Sequence, residues 1–205
     1  MSLFPIFLKL RGRVVVIIGG GAVAESKIPG LFAAGATVRV VAPEVTETIA
    51  RWALDRRIEL RAKPFESGDL AGAFLVIAAT SSPDVNEGVF REAEARQILC
   101  NAVDDPQRCH FYYPAVVQRG QLQIAISTNG LSPALAMRLR TELEAQFGPE
   151  YEMWLEWLGT ARKLLRAGES DPEANKKILH MLASREMFEQ FLSETHSGRT
   201  LGSVA

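Results

Sequence analysis

Short β-branched runs alternate with longer amphipathic or alanine-rich runs through the first half of the chain. Val14-Val15-Val16-Ile17-Ile18 is apolar at every position, as a strand covered on both faces must be. Residues 22–34 read as a helix, with Gly35 supplying its stop. Pro29 inside it removes a hydrogen-bond donor and predicts a bend. Residues 37–41 predict a second strand, 45–54 a second helix, 58–62 a short third strand and 74–79 a fourth. Residues 83–96 follow as a helix opened by Ser82 or Pro83, and 98–103 as a fifth strand. Strands alternating with helices pair in parallel through right-handed crossovers. The pattern over residues 1–113 therefore predicts an α/β, Rossmann-type doubly wound sheet.

The pattern changes after Asp104. Residues 111–118 and 121–127 read as two strands joined by a tight Arg119-Gly120 turn. Thr128-Asn129-Gly130 is a further turn. Ser132 as N-cap and Pro133 at the first helical position open a helix whose apolar stripe is Leu135, Leu139 and Leu143. Trp154, Leu158, Ala161 and Leu165 recur at helical spacing up to Gly168. Asp171-Pro172 caps a last helix carrying Ile178 and Leu182. The tail from Ser197 is expected to fray. Residues 114–148 thus form a small β-containing region and 149–205 a helical end.

Gly19-Gly20-Gly21-Ala22-Val23-Ala24 fits G-x-G-x-x-A between the first strand and its helix, the context that makes the motif a dinucleotide-binding turn. Gly19 permits the tight turn. Gly21 removes a side chain where a pyrophosphate approaches the backbone, and Ala24 lets the helix sit close to the sheet. The helix N-terminus, with Ala22 and Val23 in its first turn, adds unbonded N–H groups and partial positive charge. The ribose-binding acid of such sites belongs at the end of the second strand, about 20 residues on. That point reads Val41-Ala42-Pro43-Glu44. Position 42 has no carboxylate, and Glu44 lies beyond a proline, where it also reads as a first-turn helix acid. No arginine stands there to meet a 2′-phosphate, which favours NAD over NADP as the cofactor.

Apolar residues make up 47% and charged residues 23%, so the chain can bury a core and is not disordered. Lys and Arg total 23 against 24 Asp and Glu, a net charge of −1 that favours neither nucleic acid nor an anionic membrane as partner. Cys100 and Cys109 form no C-x-x-C pair and read as reduced thiols of a cytoplasmic protein. Residues 1–7 lack the basic region and long apolar stretch of a signal peptide. The longest uncharged apolar run, residues 14–24, falls well short of the ~20 residues that cross a bilayer. No H-E-x-x-H motif or cysteine cluster calls for a resident metal.

Read in order, the chain carries Phe4-Pro5-Ile6-Phe7-Leu8-Lys9-Leu10, the glycine loop, Ile77-Ala78-Ala79-Thr80 and Asn86. Cys100-Asn101-Ala102-Val103-Asp104, Phe111, Pro114 and Ser127-Thr128-Asn129-Gly130-Leu131-Ser132-Pro133 follow. This set resembles the precorrin-2 dehydrogenase and sirohydrochlorin ferrochelatase family, the N-terminal part of siroheme synthase. The resemblance covers residues 1–150 well and the helical end more loosely; its N-x-V-D and N-G-x-S-P segments make it narrow. The chain is too short to hold the uroporphyrinogen methyltransferase domain fused to some members. The resemblance implies NAD-dependent oxidation of precorrin-2 to sirohydrochlorin by a homodimer, with residues 114–148 serving subunit contact and substrate. Some members also insert Fe²⁺ to give siroheme. Asp104 is implied as the catalytic residue, and Thr80, Asn101 and Val103 as further cofactor contacts. Thr128, Asn129, Gly130 and Ser132 are implied to hold the tetrapyrrole, Thr128 standing where members often carry serine.

Aromatising a reduced macrocycle removes a hydride and a proton. Asp104, at the carboxyl edge of the sheet, suits a general base, and equally reads as a turn aspartate before Asp105-Pro106. A polycarboxylate substrate asks for helix N-termini and arginines. Arg108, Arg119, Arg138 and Arg140 are the candidates, each also readable as a solvated surface cation. His110 reads as a proton shuttle or an ordinary loop histidine. Trp154 and Trp157 read as packing residues. The alternative from another class is a non-catalytic nucleotide-sensing module. Such modules share the glycine loop but carry an acid at the end of the second strand, absent here.

Overall fold

The β-branched runs form β1 (Val14–Ile18), β2 (Thr37–Val41), β3 (Ile58–Arg61), β4 (Leu75–Ala78) and β5 (Leu99–Ala102) in the computed structural model. The structure describes residues 3–168 and 171–196. The five strands make one sheet in the order β3-β2-β1-β4-β5, with every pairing parallel. Val15 stands level with Val38 on one side and Leu75 on the other. Alternation along the strands separates two cores. Val15, Ile17, Val38 and Ile77 pack with Ala24 and Ile28 of α1 (Ala22–Ala33) and Ile49 of α2 (Glu47–Leu54). Val16, Ile18, Val76 and Ala78 pack with Val89 and Ala93 of α3 (Pro83–Ala95). Both faces of the central strands are covered, which is why β1 and β4 carry no polar residue. The chain passes from β3 back across the sheet to β4, so strand order reverses beside β1. Such a reversal leaves a crevice at the carboxyl ends of the strands.

Local caps set the element limits. α2 begins at Glu47 and not at residue 45. The Thr46 hydroxyl accepts the Ile49 N–H at 3.3 Å, and the Thr46 N–H is held by the Gly20 carbonyl at 2.9 Å. Ser82 caps α3 ahead of Pro83. Pro29 sits exposed within α1, and the helix continues to Ala33 without the N–H that the Glu25 carbonyl would otherwise accept.

The chain divides into two compact units, Met1–Tyr113 and Pro114–Ala205. The second opens with an antiparallel ribbon, β6 (Ala115–Arg119) and β7 (Leu122–Ile126). Arg119 pairs with Leu122, so the turn is Gly120-Gln121 and not Arg119-Gly120, with Gly120 at φ +54°. The first strand starts at Ala115 and not at residue 111, because the preceding residues are drawn against β5. The His110 N–H donates to the Cys100 carbonyl and Asn101 Nδ2 to the Phe111 carbonyl, both at 2.8 Å.

Among the described residues four helices complete this unit: α4 (Pro133–Gln146), α5 (Glu150–Ala167), α6 (Pro172–Leu182) and α7 (Arg185–His196). The inward line of α4 runs through buried Ala136 and half-buried Leu139 and Leu143. That phase leaves Leu135, expected on the apolar stripe, 39% exposed. The single last helix expected from the sequence is two, because the Ser184 hydroxyl accepts the Met187 N–H at 3.3 Å and starts α7 afresh. Tyr151, Trp154 and Phe188 cluster with ring centroids 4.5–5.7 Å apart, and Trp157 meets Phe191 at 6.2 Å, so both tryptophans pack α5 to α7. The tail from Ser197 lies outside the described residues. Among the described residues no helix is long and apolar enough to cross a membrane.

Candidate active site

The turn after β1 is shaped by the loops that follow β2 and β4. Gly19 has φ +116°, and its N–H donates to the Val41 carbonyl at 3.0 Å. A Cβ there would lie 2.3 Å from the Ala79 carbonyl oxygen. On Gly20 it would lie 2.2 Å from the Glu44 carbonyl oxygen and 2.7 Å from Val45 Cγ1. Backbone neighbours thus exclude side chains at both positions. Gly21 differs. It is exposed, it caps α1 without a side-chain bond, and a Cβ there would meet nothing within 4 Å. The space belongs to no protein atom, and the first-turn N–H groups of α1, at Ala22 and Val23, border it. Open room against unbonded donors fits the diphosphate of a nicotinamide dinucleotide. Ala24 is fully buried, as close seating of α1 on the sheet requires.

The end of β2 presents backbone. Ala42 is 4% exposed and its N–H donates to the Arg61 carbonyl at 3.2 Å. Pro43 and Glu44 follow, both exposed. Glu44 is not a first-turn acid: α2 starts later, and Glu47 takes that place. Arg61 pairs with Glu59 at 2.8 Å and Asp69 at 3.0 Å, and Lys63 with Glu66 at 2.8 Å and Asp69 at 3.0 Å. Burial raises the Asp69 pKa, but the Glu66 N–H, Lys63 and Arg61 outweigh it and hold the carboxyl below its ordinary value. After β4, the Thr80 hydroxyl donates to Asn86 Oδ1 at 2.8 Å, and Asn86 Nδ2 donates back to the Thr80 carbonyl at 3.1 Å. The Thr80 hydroxyl therefore buttresses its own loop.

β5 delivers Val103 and Asp104 to the same edge, with the Val103 N–H bonded to the Ala78 carbonyl at 2.9 Å. The Asn101 amide serves the loop, donating to Cys109 Sγ at 3.3 Å as well as to Phe111. Asp104 is exposed and left-handed, at φ +61°. Aspartate enters that conformation more readily than most residues, and here it turns the chain at the carboxyl edge of the sheet. Asp104 lines a cavity of 210 Å³ with Lys27, Asn101, Cys109, Tyr112 and Tyr113. Arg108 pairs with both Asp105 and Glu87 of α3, and so anchors the loop instead of awaiting a substrate. Cys109 Sγ donates to the Ala102 and Asp105 carbonyls at 3.1 and 3.2 Å. Both thiols are free; burial pushes Cys109 up and Cys100 to about 12. His110 has both ring nitrogens engaged within its own unit. Its Nδ1 accepts the Cys100 N–H at 2.9 Å, its Nε2 meets Glu94 at 2.5 Å, and its ring lies 5.2 Å from that of Phe90.

In the second unit Thr128–Ser132 is one hydrogen-bonded turn. The Thr128 carbonyl accepts the Leu131 N–H at 3.0 Å and its hydroxyl the Ser132 N–H at 3.2 Å. Asn129 and Gly130 are left-handed at φ +55° and +78°. Ser132 caps α4 through the Leu135 N–H at 3.2 Å. Arg119 is structural, donating to the carbonyls of Phe147 at 2.8 Å and Glu144 at 3.0 Å at the end of α4. Arg138 and Arg140 pair along the helix with Glu142 at 3.2 Å and Glu144 at 3.6 Å, contacts worth little in solvent. A groove of 730 Å³ between α5 and α6, floored by Leu158, Leu165 and Leu179, contains none of the predicted site residues.

A family model described as "Putative NAD(P)-binding" matches residues 6–115, and one described as "Sirohaem biosynthesis protein central" matches residues 119–146. The solved structure titled "SirC, precorrin-2 dehydrogenase" is similar with a TM-score of 0.79 at 27% identity, covering 95% of this chain and 100% of that one. The chain belongs to the putative NAD(P)-binding family that the first of these models describes. Relatives include siroheme synthase of Methylobacillus flagellatus, 45% identical over 151 residues, which are 74% of this chain and 32% of that protein. Siroheme synthase of Actinobacillus pleuropneumoniae is 34% identical over 196 residues, 96% of this chain and 40% of that protein. The chain thus spans 32–40% of the length of these two relatives.

Two features of this family member escaped the sequence reading. One is the packing that makes Gly20 obligatory, since the motif leaves its middle position free. The other is Lys27, which shares a cavity with Asp104. Its signal was helical phase: Lys27 is one turn beyond Val23 of the glycine loop.

Proposed function

We propose that the chain is an NAD-dependent enzyme that oxidises precorrin-2 to sirohydrochlorin. One observation carries this reading: a glycine cradle open at Gly21 and a left-handed Asp104 lining a cavity occupy the same carboxyl edge of one sheet. Bound NAD⁺ supplies the hydride acceptor. The first-turn N–H groups of α1 hold its diphosphate, Gly21 leaves it room, and Ala42, Pro43 and Glu44 border its ribose. Thr80, Asn101 and Val103 shape the floor beneath the nicotinamide end. The Asp104 carboxylate takes the proton released as the hydride departs. Precorrin-2 and NAD⁺ then yield sirohydrochlorin, NADH and a proton. NAD is preferred over NADP because Arg61 and Lys63, the cations beside the end of β2, are already matched by Glu59, Glu66 and Asp69. Tighter calorimetric binding of NADP⁺ than of NAD⁺ would overturn that preference.

The Thr128, Asn129, Gly130 and Ser132 turn is assigned to substrate carboxylates through the N-terminus of α4. Exposed Val116, Leu131 and Met137, with the unpaired edges of the β6–β7 ribbon, support a homodimer built by residues 114–148. Sedimentation equilibrium tests it, and a monomer at micromolar concentration would refute it. The assignment places the enzyme in the cytoplasm, with neither nucleic acid nor membrane as partner. The decisive experiment is an anaerobic assay with precorrin-2 and NAD⁺. Wild type forms sirohydrochlorin; Asp104→Ala binds NAD⁺ normally and turns over at least ~100-fold more slowly. Loss of cofactor binding in that variant would make Asp104 structural. Sirohydrochlorin and Fe²⁺ supplied without NAD⁺, against a protein-free control, tests metal insertion.

A further inference from the structure

We infer that Lys27 is a substrate-binding residue whose ammonium holds a carboxylate of the tetrapyrrole beside Asp104, an inference that rests on the dehydrogenase reading above. Lys27 is the cation among the residues lining the 210 Å³ cavity, and Asp104 and Asp105 are its carboxylates. A polycarboxylate macrocycle brought to Asp104 meets like charge there, and a neighbouring cation must offset it. The arginine nearest in sequence cannot, because Arg108 is held by Asp105 and Glu87. Lys27 makes no ion pair among the described residues. Its Nζ stands 4.5 Å from the centroid of the Tyr113 ring, a cation–π contact between two residues that line the same cavity. That contact steadies the long side chain without neutralising it. The Tyr113 phenol is uncharged at neutral pH, so the contact leaves the ammonium available to a carboxylate.

The placement also links the two ligands. Val23 lies in the first turn of α1, beside the cofactor cradle, and Lys27 is four residues further along the same helix. At 1.5 Å per residue the separation along the axis is about 6 Å. One rigid helix thereby sets the distance between the cofactor's diphosphate and a substrate carboxylate, which is how reacting partners are held in register.

The test compares wild type, Lys27→Met and Lys27→Arg in three measurements: anaerobic turnover of precorrin-2, calorimetric binding of NAD⁺, and equilibrium binding of sirohydrochlorin followed by its absorbance. Losing one charge-assisted contact raises KM for precorrin-2 and the sirohydrochlorin Kd about 10- to 100-fold in Lys27→Met. NAD⁺ affinity stays unchanged, and Lys27→Arg recovers most of the loss. The wild-type KM also rises with salt, and that dependence weakens in Lys27→Met. Unchanged KM and sirohydrochlorin binding in a wild-type-like background would refute the Lys27 role while leaving the dehydrogenase reading intact. A parallel loss of NAD⁺ binding would reassign Lys27 to the cofactor. A wild type that neither binds sirohydrochlorin nor oxidises precorrin-2 overturns both.

Discussion

Adding one methyl group at adjacent glycines separates packing from binding. In Gly20→Ala the new Cβ falls 2.2 Å from the Glu44 carbonyl oxygen, 2.7 Å from Val45 Cγ1 and 2.9 Å from Val45 Cα. Two of these three neighbours are backbone atoms. The Thr46 N–H on the same segment is bonded to the Gly20 carbonyl at 2.9 Å. Relief therefore requires the loop after β2 to move and that bond to break. Overpacking of this kind costs about 3 kcal/mol, the upper part of its usual range. For a chain of this size that lowers the unfolding temperature by roughly 6–12 °C. In Gly21→Ala the methyl meets no protein atom within 4 Å. Alanine is the poorer N-cap by up to ~1 kcal/mol, while its smaller unfolded-state entropy returns ~0.4–1 kcal/mol. Stability stays within ~0.5 kcal/mol of wild type. The methyl does occupy the room assigned to the diphosphate, so NAD⁺ affinity falls about 10- to 100-fold through lost charge-assisted backbone bonds. Thermal unfolding by circular dichroism and NAD⁺ calorimetry read the two effects separately. Wild-type NAD⁺ affinity in a stable Gly21→Ala would refute the assignment of that space to the cofactor. Equal destabilisation of both variants would refute the packing argument.

Other expectations follow from buried contacts. The folded-state pKa of Asp69 lies below its unfolded value of ~3.9. Its contribution is therefore complete above that value and fades as pH falls through the lower folded one. Asp69→Asn costs about 3 kcal/mol at pH 7, and the gap to wild type narrows below about pH 4 in urea titrations; a gap independent of pH would refute the linkage. His110→Ala removes the acceptor of the Cys100 N–H and lowers stability by about 1–2 kcal/mol. The pH profile of kcat keeps its shape in this variant, and a lost or displaced limb would assign His110 the proton-shuttle role.

Much of the first unit, and the start of α4 in the second, was written in contiguous residues. The five strands, the helix after Gly21 and the Ser82 and Ser132 caps each depend on neighbours a few positions away, so periodicity and cap chemistry sufficed. The G-x-G-x-x-A loop was likewise local, and with N-x-V-D and N-G-x-S-P it marked the family. Only the tertiary structure showed that Glu44 and Val45 press on Gly20, that Asn101 draws Phe111 out of the hairpin, and that Arg108 and Arg119 are spent inside the protein. It alone brought Lys27 into the cavity of Asp104. These outcomes share one physical cause. A charge or a donor is claimed by whichever partner the fold carries to it, and for these residues that partner lies on another element.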